Sequence, residues 1–289
     1  MDPSHSKRSA ILAAARALHM ESAGSSSPAR LISQLCDERL NSDELAARIE
    51  AHPVLCARVL QVANSPYYGQ AGSVASIKRA LLLLGINAVR GIAAAACIRQ
   101  FVPQAAGALP DLAAIMLHSL ATAVACDRLA NVSASVLAPE AFIAGLIHNL
   151  GTVIQAAVDP AGITALIAAR SASPLSDLRT VELQHCQAGH ESCAAVLFEA
   201  WNLPESLTVS AQHHHAPEAA PVPHRVLAGL VWAGGHLALC CQFTYSLEPA
   251  VPARDEARLR GLGFRPEQLD VVSAELAERV ELLSRALLA

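Results

Sequence analysis

The chain is 289 residues long, 53% hydrophobic and only 3% aromatic, with a formal charge of −4. That length and apolar content allow a sizeable buried core and exclude a natively disordered chain. Lysine is confined to Lys7 and Lys78 and no basic stripe exists to neutralise a phosphate backbone, which argues against a direct nucleic-acid binder. The eight cysteines stand singly or as the pair Cys240–Cys241, with no Cys-x-x-Cys spacing, and so read as reduced, small apolar side chains of a cytoplasmic protein.

Runs such as "ILAAARALHM" and "GIAAAACIRQF" favour helix, because alanine and leucine lose little on entering one. The expected fold class is all-α, a two-lobed helical bundle. Residues 1–29 read as a short amphipathic helix followed by the polar linker "ESAGSSSPAR", without a signal-peptide pattern. A first helical lobe is expected over 30–108. In it Asn41 and Glu44 form a capping-box pattern, Pro53 opens a second helix, and "NSPYYGQAG" is a strong loop signal. Asn64, Ser65, Tyr67 and Tyr68 in that loop fit either a structural turn or an aromatic surface for a protein partner. Ser76 then caps a helix that Gly85 closes in a left-handed position.

After the boundary "VPQAAGALP", a second lobe is expected over 109–289, with helices at 111–131, 139–158, 160–171, 175–187, 190–202, 204–215, 223–243 and 266–288. Pro139, Pro160, Pro204 and Pro266 each mark a helix start, where the missing N–H costs nothing. Val226–Leu247 carries no formal charge over a length that could span a bilayer, but Gly234, Gly235, His236 and Gln242 interrupt it; a buried core helix is the better reading.

The segment "AFIAGLIHNLGTVI" places His148 and Asn149 in the middle of an apolar run. Burying such groups unpaired costs roughly 1–3 kcal/mol each, so they need partners. His118, His190, His214 and His215 lie in similar surroundings. Any one of these reads as a core histidine with a backbone partner, but histidines on separate helices of one bundle are also how such folds build metal sites.

At this point the chain resembles the HDOD domains, relatives of the HD and HD-GYP metal-dependent phosphohydrolases. The likeness runs from "IEAHPVLCARVLQVANSPYYG" and "SVASIKRALLLLGINAVR" through "HSLATAVA", "EAFIAGLIHNLG", "ELQHCQAGH", "WNLPESL" and "QHHHAPE". It implies that His118 matches the first family histidine, His148–Asn149 the His-Asp doublet, His190 the next histidine and His214–His215 the paired histidines. Glu182 matches a family glutamate with either a packing or a ligand role, and Trp201 a core plug or, less favoured, a stacking platform. The resemblance also implies a bacterial signalling protein with regulatory partners, in cyclic-di-GMP or two-component pathways; signatures of fused modules of that kind are absent, so a stand-alone copy is expected.

Departures from the pattern bear on chemistry. Asn149 replaces the metal-binding Asp of the doublet, no Asp occurs between Asp177 and Asp255, and Gly234 stands about where the later ligand is expected. A hydrolytic divalent metal usually takes anionic oxygen ligands, so the expected function is non-catalytic regulation through protein contacts, without an obligatory cofactor. Three imidazoles alone do suffice for some zinc sites, which leaves Zn, Fe or Mn at a histidine remnant, a phosphohydrolase acting on a nucleotide or phosphoester, and a nucleotide or anion sensor as alternatives. In a metal-free polar core, desolvation and mutual repulsion would keep the imidazoles neutral and make the fold acid-sensitive.

Overall fold

The computed structural model describes residues 9, 12–14, 28–35, 37, 39–68, 74–105, 109–133, 138–186 and 188–287. The expected N-terminal helix and linker, and the junction at 106–108, fall almost wholly outside them. Among the described residues every regular element is helical, apart from one isolated bridge between Tyr245 and Glu248.

The first lobe holds α1 (Pro28–Leu35), α2 (Ser42–Glu50), α3 (Pro53–Ala63), a 3-10 turn (Pro66–Tyr68), α4 (Ile77–Leu84) and α5 (Ile86–Ala105). Its local signals act as the residue types dictate. Asn41 Oδ1 accepts from the Glu44 N–H at 2.9 Å and Glu44 accepts from the Asn41 N–H at 3.0 Å, a reciprocal cap on α2. Ser76 accepts from the Arg79 N–H and starts α4. Gly85 ends it with φ 83° and ψ 159°; the positive φ is as expected, but the ψ is extended, a combination open essentially to glycine alone.

The second lobe holds α6 (Leu112–Val132), α7 (Ala138–Ile147), α8 (Leu150–Val158), α9 (Pro160–Ala172), α10 (Leu178–His185), α11 (His190–Ala200), α12 (Glu205–His213), α13 (Arg225–Cys240), α14 (Glu256–Gly261) and α15 (Pro266–Leu287). Helix α6 is the axle, packed against α7, α13 and α15. Its residues from His118 to Cys126 are all buried, which explains why its sequence carries no clear polar stripe. One core cluster runs unbroken from Leu31 to Leu283 through both lobes.

Three expectations are corrected. The helix expected at 139–158 is two helices, broken where His148 and Asn149 form a turn. The stretch expected as one helix at 223–243 begins as a 3-10 turn at Val222–His224 and ends at Cys240; α14 was not expected at all, although Asp255 caps it by accepting from the Arg258 N–H. Pro204 caps α12 from outside instead of filling its first turn. Among the described residues two helical stretches, Leu112–Val132 and Glu140–Val158, are long and apolar enough to cross a membrane by length and composition. Their apolar windows are 61% and 83% buried inside the fold, and the second is bent at His148–Asn149.

Helix α15 leaves its own lobe to pack on α3 and the 3-10 turn. There the guanidinium of Arg279 lies 5.8 Å from the Tyr67 ring centre and pairs with Glu275, which also holds Arg128. Tyr67 and Tyr68 meet edge to face and are partly buried against the core, and Ser65 is buried. Asn64 is the turn's fastener: its amide donates to the carbonyls of Leu60 and Val74 at 2.9 and 2.8 Å, and its oxygen accepts from the Val74 N–H at 2.9 Å. Asn64→Ala strands those groups and should lower the unfolding free energy by about 2 kcal/mol, read as a shift in the urea midpoint at constant m-value.

Candidate metal centre

Five elements converge on one cavity of about 130 Å³. His118 comes from α6, His148 and Asn149 from the α7–α8 bend, His214 and His215 from the end of α12, and Gly235 from α13; His190, the first residue of α11, packs behind His214 and His215. The bend brings α8 against the start of α11 at Gly151, where an added β-carbon would overlap the His190 carbonyl oxygen. Buried Gln155 donates to the Ala188 carbonyl and fixes the same approach.

Three of the histidines form a tight group. His190 Nε2 lies 3.2 Å from His214 Nε2 and 3.2 Å from His215 Nε2. Donor atoms on a tetrahedral zinc, at bonds of about 2.0–2.1 Å, stand about 3.3 Å apart, so this spacing fits one shared ion. The ring orientations are set from outside. Glu182, fully buried, accepts from His190 Nδ1 at 2.9 Å and from the His190 backbone N–H at 2.9 Å, and the Ala211 carbonyl accepts from His214 Nδ1 at 2.7 Å. A carbonyl can only accept, so His214 keeps its proton on Nδ1 and turns the Nε2 lone pair inward, the arrangement a metal ligand needs. His190, His214 and His215 are thus brought together as one candidate ligand group, and Glu182, His190 and Glu191 as a second.

His118 and His148 line the cavity beside that group. Their ring centres are 5.5 Å apart, and His148 is 5.0 Å from His214. His118 Nδ1 donates to the Phe243 carbonyl at 2.8 Å and His148 Nδ1 to the Gly145 carbonyl at 2.7 Å, which answers how the apolar segment tolerates His148. Burial pushes the His118 imidazole down to about 4. Burial first, and neighbouring imidazoles second, push His148, His214 and His215 well below the ordinary histidine range. His190 goes the other way: burial, the largest single influence, opposes its charge, but the carboxylates around it, Glu182 first and then Glu191 and Glu248, together outweigh burial and raise it to about 9. Without metal, the His190 imidazolium therefore offers Nε2–H to its two neighbours.

The two positions at which the family resemblance implies carboxylates carry neutral residues, Asn149 and a glycine of α13. Asn149 is buried and its amide donates to the Tyr245 hydroxyl at 3.1 Å. Helix α13 lines the cavity with Val231, Trp232, Gly235, His236 and Leu239; Gly234, which stands about where the later aspartate is expected, turns instead to α6, where a β-carbon would stand 2.5 Å from Cys126 Sγ. Trp201 is a buried plug against Phe198, away from the cavity lining. Sequence reasoning missed Tyr245 and Glu248, which reach the cavity from the loop after α13. The signal available was an aromatic and an acid closing a long uncharged stretch.

An all-α bundle that gathers imidazoles from successive helices around one cavity defines a histidine-centred helical fold of the HD type. The chain belongs to the HDOD domain family, whose model matches residues 25–217. Among solved structures, an HDOD domain protein of unknown function from Geobacter sulfurreducens is 20% identical with a TM-score of 0.74, over 95% of this chain and 97% of its own. A Shewanella amazonensis protein whose name proposes a phosphohydrolase is 23% identical with a TM-score of 0.68, over 96% and 94%. A Marinobacter aquaeolei protein whose name proposes signal transduction is 23% identical with a TM-score of 0.76, over 99% of this chain and 66% of its own. No curated protein matches the chain.

Proposed function

We propose that this HDOD protein is a non-hydrolytic, cytoplasmic signal-transduction module that acts through protein contacts and holds one divalent metal at His190, His214 and His215. The observation that carries the metal is the 3.2 Å spacing of the inward-facing Nε2 atoms of His214 and His215 from that of His190. Imidazole donors suit zinc, and also iron, better than they suit magnesium or calcium. The ion would supply a cross-link between the start of α11 and the end of α12. Asn149 and Gly235 support the absence of hydrolysis, since neither brings an anionic oxygen to orient a water or a second metal. The regulatory part is supported by the family assignment and by the name of the Marinobacter protein.

Because three imidazoles do activate water on zinc in some enzymes, the reading is tested against hydrolysis directly. Protein purified without a histidine tag is expected to take up about one zinc per chain, and to turn over neither cyclic dinucleotides nor simple phosphodiesters with added manganese or iron. Turnover that His214→Gln abolishes would establish the phosphohydrolase instead. Failure to retain zinc after reconstitution removes the metal from the proposal.

A further inference from the structure

We infer that Glu248 is the anionic partner of the metal at His190, His214 and His215, reaching it across the cavity through one water, and that it takes over the charge-neutralising part given up at Asn149 and Gly235. The inference rests on the metal reading above.

Three neutral imidazoles leave both charges of a divalent ion uncompensated, and the nearest buried acid, Glu182, is already committed to His190 Nδ1. Among the residues lining the cavity Glu248 is the one carboxylate. It arrives on a turn that is fixed from several helices. The Glu248 N–H donates to the Tyr245 carbonyl at 2.9 Å and the Tyr245 N–H to the Glu248 carbonyl at 3.4 Å. Between them, Arg170 of α9 donates to the Leu247 carbonyl at 2.6 Å, and Asp111, just before α6, accepts from the Ser246 N–H and hydroxyl at 2.6 and 2.9 Å. The same loop supplies the Tyr245 hydroxyl to Asn149 and the Phe243 carbonyl to His118. A segment tied at so many points holds its side chains against the cavity at little entropic cost.

The Glu248 carboxylate has no hydrogen-bond or ion-pair partner among the described residues, and burial keeps its carboxyl above the ordinary range while the charge on His190 pulls it back. Half-buried and facing the cavity beside His214 and His215, the carboxylate is a ready counter-charge for a cation held by those imidazoles. Here the cation-binding group is the neighbouring set of imidazoles.

The test is the affinity of the full chain for zinc alone, measured by competition with a chromogenic chelator, for wild type, Glu248→Gln, Glu248→Asp and, as a null control, His214→Gln. Glu248→Gln is expected to weaken zinc binding by about 10–100-fold while leaving the metal-free melting temperature unchanged, the range seen when an outer partner of a metal site is removed. If Glu248→Gln does not fold, Glu248→Asp decides, with a several-fold loss expected. Equal affinity in wild type and the Glu248 variants overturns the inference and leaves the three-histidine site standing. No binding by wild type overturns the metal reading itself, and this inference with it.

Discussion

Glu182→Ala is expected to destabilise the metal-free protein by about 3–5 kcal/mol, the usual cost of removing one partner from a buried ion pair. The side chain is fully buried, and its carboxylate serves both Nδ1 and the backbone N–H of His190. Removal strands two donors, and it also removes the charge that lets His190 remain an imidazolium. Glu182→Gln keeps an acceptor of similar shape and should cost about 1–2 kcal/mol, within the range of a weakened hydrogen bond. The pair of variants separates charge from shape. Denaturant unfolding gives the free energies, and NMR titration of His190 gives the mechanism: its pKa, about 9 in wild type, should fall below the ordinary histidine value in Glu182→Gln. A His190 that still titrates at its wild-type position in Glu182→Gln would show that the carboxylate does not govern it.

Much of the fold was legible because its signals are local. The Asn41–Glu44 reciprocal cap, the Ser76 cap and the proline-marked starts at Pro53, Pro160 and Pro266 each depend on residues within one turn, and the structure contains all of them. The break at His148–Asn149 was not legible. Nothing in an apolar run signals that its centre will turn, and what holds the turn is packing against α11 at Gly151. The candidate ligands were named by family likeness, yet their division was hidden: sequence order cannot tell that His190, His214 and His215 share one point while His118 and His148 stand to the side. Helical phase separates Gly234 from Gly235, since adjacent residues on a helix point about 100° apart and one step moves a position from the cavity to the α6 interface. Tyr245 and Glu248 lay furthest from view. Asn149 and Tyr245 meet across 96 residues of sequence, and no local pattern encodes a loop whose place is set by Arg170 and Asp111.

The same imidazoles predict a protein that, stripped of metal, unfolds in mild acid. His118, His148, His214 and His215 all have folded-state pKa values below the unfolded value of 6.5. The unfolded chain then takes up protons first, so stability is intact above pH 6.5 and falls as pH drops toward the folded values, near 4 for His118. Each such group removes up to about 1.4 kcal/mol per pH unit, so His118 alone accounts for about 3 kcal/mol, and His148, His214 and His215 act in the same direction. His190 has the opposite sign. Its raised pKa gives stability that is complete below 6.5 and is lost as pH rises toward 9. Stability should therefore peak close to pH 6.5–7, with a steep acid limb from four groups and a shallow alkaline limb from one. Urea unfolding of the metal-free protein at intervals from pH 4.5 to 9 measures both limbs. His148→Gln, whose amide can still donate to the Gly145 carbonyl, should flatten the acid limb by about a quarter while leaving the alkaline limb in place. Superimposable acid limbs for wild type and His148→Gln would mean that the carboxylates elsewhere in the fold, and not the buried imidazoles, set its acid stability.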